Sequence, residues 1–64
     1  MTVIDVRDGG MAFSSVHDVM IGVIQLVVQE GESAPVIYKG YCWPEEKQEH
    51  LVRLRRIVWE GPSL

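Results

Sequence analysis

One stretch constrains the fold of this chain more than any other: Trp43-Pro44-Glu45-Glu46-Lys47-Gln48-Glu49-His50-Leu51-Val52-Arg53-Leu54-Arg55-Arg56-Ile57-Val58-Trp59. Pro44 suits the first turn of a helix, where its missing N–H would have no intrahelical partner. Glu45, Glu46 and Glu49 come early and Arg53, Arg55 and Arg56 come late, the order that the helix dipole favours. Glu49 and Arg53 add an i,i+4 pair. Leu51, Leu54, Ile57 and Val58 recur at helical spacing and predict one apolar stripe, with His50 at its edge. Gly61-Pro62 is the stop signal. Val52 and Trp59 fall outside the stripe. They need a second contact, or the helix is short, ending near Arg53 with a strand from Arg55 to Trp59.

Upstream of this helix the pattern is that of strands. Thr2 to Arg7 is rich in β-branched residues, with Thr2, Ile4 and Val6 on one face and Val3, Asp5 and Arg7 on the other. Asp8-Gly9-Gly10 separates it from Met11-Ala12-Phe13-Ser14 and reads as a hairpin turn. Val19 to Gln29 is ambiguous. Ser15 with Asp18 resembles a capping box, and Val16, Val19, Met20, Val23, Ile24 and Val27 fit a helix closed by Gly31. The many β-branched residues, Gly22 and the lack of Ala, Lys or Glu favour a strand. Glu30 to Ala34 then forms a hairpin loop, and Pro35 to Trp43 the returning strand. The expected architecture is α+β: an antiparallel meander of about four strands packed against one C-terminal helix. Residues 1–61 form a single small domain and 62–64 a frayed tail.

With 64 residues the chain is one domain, and 47% hydrophobic content is enough for a core and too much for a disordered segment. Cys42 is the only cysteine, so an internal disulfide is excluded and a cytoplasmic setting is expected. The net charge of −3 is the opposite of a nucleic-acid binder's balance and too small for a mimic of the phosphate array. Val19 to Val28, the longest apolar stretch, is too short for a bilayer, which needs ~20 residues. No membrane partner is expected.

The order strand, strand, strand, strand, helix resembles the first half of a proteasome β-subunit type domain, an Ntn-hydrolase fold. The opening Thr2-Val3-Ile4-Asp5-Val6-Arg7-Asp8-Gly9 is similar to that family's T-x-x-x-V-x-D-G, and removal of Met1 would expose Thr2. The resemblance implies a threonine nucleophile using its own amine as base. The departures are large. Ser14, in Ala12-Phe13-Ser14, stands where the family carries aspartate, and Gln25 or Leu26 where it carries lysine. The second half of the fold has no counterpart. What the resemblance then implies is a catalytically dead remnant used for binding.

No other catalytic chemistry assembles. His17, Cys42 and His50 are the candidate soft metal ligands, and their spacing gives no paired ligand motif, so no metal or cofactor is expected. Ser14 or Ser15, His17 and Asp18 lie within five residues and suit caps and turns better than a triad. Asp8-Gly9-Gly10 lacks the lysine and helix of a phosphate loop. Arg53, Arg55 and Arg56, with Lys47, form the one basic cluster, but Pro44 to Leu64 holds four acids and four bases.

The aromatics carry more. Tyr38 and Tyr41 point to opposite faces of a strand, so one is expected inside and the other exposed. Tyr41 and Trp43 share a face, on which Ile21, Val23 and Val27 also fall. If the helix covers the other side, this face is an apolar patch that needs a partner. The expectation is a non-enzymatic protein-binding module. Its partner residues would be Tyr41, Trp43, Arg53, Arg55, Arg56 and Trp59. The partner would be another protein or a second copy. Small phage-encoded inhibitors of host enzymes or defence complexes belong to this size class. The alternatives are a homodimeric structural or regulatory protein, a remnant threonine hydrolase using Thr2, and a weak nucleic-acid binder through the arginines of the helix.

Overall fold

A computed structural model gives the fold over residues 1–60. The elements are β1 (Thr2–Ser14), β2 (Val19–Glu30), β3 (Val36–Cys42), a single 3-10 turn (Pro44–Glu46) and α1 (Lys47–Glu60). The three strands form one antiparallel sheet in the order β1-β2-β3, and α1 packs on it. The class is the expected α+β, with three strands where about four were predicted.

The difference lies at Asp8-Gly9-Gly10, which is a β-bulge and not a hairpin turn. Asp8 pairs with Ile24 and Met11 with Gly22, so two glycines stand opposite Val23. Gly10 absorbs the extra residue at φ 82°, a conformation open to glycine. The strand on either side therefore pairs with the same partner, and Thr2 to Ser14 is one long strand. The reversal comes at residues 15–18, where Asp18 takes φ 55°; Asp is one of the few non-glycine residues that enter this region readily.

β2 confirms the strand reading of Val19–Gln29. It is the central strand, with Ile24 facing the helix and Val23 and Val27 buried from the opposite side. Burial on both faces explains why its apolar run is nearly continuous and why helix and strand patterns compete there.

Trp43 stays extended, and its carbonyl accepts the Glu46 N–H at 3.0 Å, which starts the turn that leads into α1. The helix runs on through Arg55–Trp59, so the alternative of a strand there is set aside. Its stop at Gly61-Pro62, and the tail at 62–64, lie outside the described residues. Leu51, 1% exposed, packs against Val6 and Ile24, with Leu26, Cys42 and Val58 around them. The buried face is narrower than predicted. Leu54 is at the margin and Ile57 is exposed, because α1 docks on β1 and β2 and leaves β3 uncovered except at Cys42. Lys47, assigned above to the basic cluster, is instead buried and forms the helix's second anchor. Gly22 allows this approach: a Cβ there would lie 3.1 Å from Lys47 Cδ and 3.2 Å from Cys42 Sγ.

Candidate interaction surface

Strand alternation and register place Ile21, Val23 and Val27 of β2 on the sheet face away from the helix, with Val3, Asp5 and Arg7 of β1 and Ile37, Lys39 and Tyr41 of β3. A polar row, Arg7–Gln25–Lys39, crosses this open face. Arg7 Nε donates to Asp5 Oδ2 at 2.7 Å beside it. On one side of the row the side chains are apolar: Val23 pairs with Tyr41, and Ile21 and Ala12 continue the patch. The bulge shapes this patch. A Cβ on Gly9 would sit 2.8 Å from Val23 Cγ1, so the glycine makes room for the valine. Tyr41 is 62% exposed and Trp43, beyond the end of β3, 52%.

The helix-bearing side has an apolar groove of about 440 Å³ between α1 and β3, floored by Ile24, Leu26 and Cys42, with Tyr38, His50 and Arg53 among the residues around it. Tyr38 is 58% exposed, so both tyrosines of β3 are exposed and the expected inward packing of one of them does not occur. The cause is the off-centre helix, which stops short of the strand that carries them.

A hollow of about 380 Å³ at the turn end of the sheet is lined by Ile21, Tyr41, Trp43, His17, Cys42 and His50, among others. The fold thus gathers the three soft ligands around one hollow. Among the described residues, no group of three His, Cys, Asp or Glu side chains is close enough to hold a metal ion. Glu46 Oε2 stands 3.5 Å from His50 Nε2.

The six predicted partner residues fall into separate groups. Tyr41 and Trp43 lie together at the end of β3. Arg53 donates to Glu49 Oε1 at 3.2 Å and lines the groove. Arg55 Nε donates to the Val6 carbonyl at 3.3 Å, tying the helix to β1. Trp59, 90% exposed, lines a smaller hollow with Arg55, Ile4 and Val58. Arg56 is exposed on the helix. Thr2, the nucleophile implied by the hydrolase resemblance, is exposed at the start of β1 and donates its hydroxyl to Glu30 Oε1 at 3.1 Å.

Two features escaped sequence reasoning. One is the groove, which depends on where the helix docks. The other is the junction of Lys47 with the bulge. Lys47 Nζ reaches Asp8 Oδ1 and the Gly10 carbonyl, each at 2.5 Å, while Asp8 Oδ1 also accepts the Gly10 N–H at 2.8 Å. Lys47, followed by the Gly10 N–H, holds the Asp8 carboxyl below the usual carboxylate range. The separation of Asp8 and Lys47 in sequence leaves no local pattern that would announce the pair.

Comparison with protein-family models, curated proteins and solved structures gave no match.

Proposed function

We propose that this chain works by binding another protein chain through the open sheet face at Ile21, Val23, Tyr41 and Trp43. One observation carries the reading: the helix docks on the opposite face and leaves these side chains as a patch bounded by the Arg7–Gln25–Lys39 row. Exposed aromatics beside an apolar, rigid floor are the usual anchors of protein interfaces, and a polar margin orients the partner. Val23 supplies the floor, and its place in the central strand makes the patch stiff.

The test uses Tyr41→Ala with Trp43→Ala, checked for retained structure by circular dichroism, against the unchanged chain. Each is used to capture and identify partners from cell lysate. The reading expects a partner whose recovery falls at least tenfold with the double variant. Equal recovery by the folded variant sinks it.

A further inference from the structure

We propose that β3 pairs antiparallel with β3 of a second copy of this chain, joining two sheets into one of six strands with Gly40 on the two-fold axis. This rests on the reading of the chain as a protein-binding module, but uses the edge of the sheet and not its face.

The two edges of the sheet differ. β1 is interrupted by its bulge, and the Val6 carbonyl is occupied by Arg55. Both devices discourage strand addition. β3 pairs with β2 without a register shift from Val36 to Cys42, and it has no proline within it. Val36 and Tyr38 on the helix side, and Ile37 and Tyr41 on the open side, are all exposed. A strand with large apolar groups on both faces has the composition of a sheet interior. A long, apolar, exposed edge is an association site.

The direction of the free main-chain groups follows from the register. The Val6 carbonyl turns to Arg55 and hence away from β2, so Val6 and Leu26 form a non-hydrogen-bonded pair. Leu26 then turns its groups to Tyr38, and Ile37, Lys39 and Tyr41 turn theirs outward. A dimer with Lys39 on the axis would set two ammonium groups face to face, which is unfavourable. Moving the axis to Gly40 puts Lys39 opposite the partner's Tyr41, a cation against an aromatic ring, and Tyr38 opposite the partner's Cys42. Gly40 against Gly40 is then the close, non-hydrogen-bonded pair, and neither residue has a side chain to clash.

The surface area agrees with a second copy. The chain exposes 5170 Å², about 1,000 Å² more than the scaling for a folded monomer of 7.3 kDa. About 600 Å² of excess remains after an allowance of about 400 Å² for residues 61–64, which lie outside the described residues. A standard interface removes about 800 Å² per partner.

Sedimentation equilibrium at micromolar concentration should return twice the 7.3 kDa chain mass. Lys39→Pro deletes an outward N–H without touching the bonds to β2, and should give a folded monomer. Ile21→Ser lies in the open-face patch but away from the edge, and should leave the dimer intact. Tyr38→Cys places a thiol opposite the partner's Cys42 and should give a covalent dimer on mild oxidation, lost when Cys42→Ser is added. A monomeric unchanged chain overturns the pairing, as does a folded, dimeric Lys39→Pro. Dissociation by Ile21→Ser assigns the contact to the sheet face and also overturns it. Failure of Tyr38→Cys to cross-link overturns the register. A monomeric chain that still captures a protein through Tyr41 and Trp43 refutes the dimer and leaves the proposed function standing.

Discussion

Lys47 Nζ lies 2.5 Å from Asp8 Oδ1, joining the first turn of the helix to the bulge in the first strand. The lysine side chain is 9% exposed and the aspartate 44%. The ammonium also donates to the Gly10 carbonyl, and Met11 Sδ is 4.0 Å away. A buried cation is tolerated only when paired and hydrogen-bonded, and here the bulge supplies both partners.

The two sides of this pair should not cost the same when removed. Lys47→Met keeps an unbranched stem against Gly22 and frees Asp8 to water, so stability should change by no more than about 1 kcal/mol. Asp8→Ala strands a charge in the interior and removes the acceptor of the Gly10 N–H, so it should lower the denaturation midpoint clearly more than Lys47→Met. Urea unfolding of both variants against the unchanged chain measures the order. A larger loss in Lys47→Met would mean that the stem, and not the charge, holds the helix.

Asp8 also predicts a response to acid. Lys47 and then the Gly10 N–H hold its carboxyl below the ordinary value of 3.8 in the folded chain. A depressed acid contributes stability that is present above the unfolded pKa and lost as pH falls through the folded one. The contribution is therefore complete at neutral pH and is lost progressively as pH falls below about 4 and through the lower folded value. Unfolding midpoints followed across that range should drop more steeply in the unchanged chain than in Lys47→Met, which lacks the main cause of the shift. Parallel curves would remove Asp8 from the account.

Local chemistry made the helix, the central strand and the open face legible. Pro44, the charge order of Glu49 and Arg53, and the alternation of Ile21, Val23 and Tyr41 each act within a few residues or across one strand pair. What was not legible depends on longer range. Asp8-Gly9-Gly10 has the composition of a turn, and only its pairing to a single strand makes it a bulge. Leu54 and Ile57 have the spacing of core residues, but the rotation of the helix is set by Leu51 and Lys47 meeting Ile24, Gly22 and Asp8. The division of the six candidate partner residues follows from the same docking, since it turns Trp59 to a hollow away from Tyr41.

The bulge glycines should respond differently to alanine. At Gly10 nothing lies within 4 Å of an added Cβ, so the cost of Gly10→Ala is the backbone strain of φ 82°, roughly 1–2 kcal/mol. At Gly9 the new methyl meets Val23 Cγ1 at 2.8 Å, Gln25 Cγ at 3.0 Å and the Val23 carbonyl at 3.1 Å, and Val23 must shift to admit it. Gly9→Ala should therefore shift the Val23 and Tyr41 resonances in an NMR spectrum, whereas Gly10→Ala should leave them in place while lowering the unfolding midpoint. Unmoved resonances in Gly9→Ala would mean that the open face does not depend on the bulge.

Leu51 and Leu54 offer the sharpest contrast in the helix, since the sequence assigns them to one stripe and the fold does not. Leu51 is the most buried side chain of the core, against Val6 and Ile24. Its truncation in Leu51→Ala opens a cavity that the paired strands β1 and β2 beneath it cannot close, and should cost roughly 3–4 kcal/mol. For a domain of this size that is a third or more of a total of roughly 3–9 kcal/mol, so the unfolding midpoint of the variant should fall sharply. Leu54 lies beside the groove and already meets water, so Leu54→Ala should cost less than about 1 kcal/mol. Circular dichroism and urea denaturation of the two variants decide between the docking described and one in which the helix sits centrally over the sheet. Central docking would bring the Leu54 cost up to that of Leu51, because β3 would then close over it.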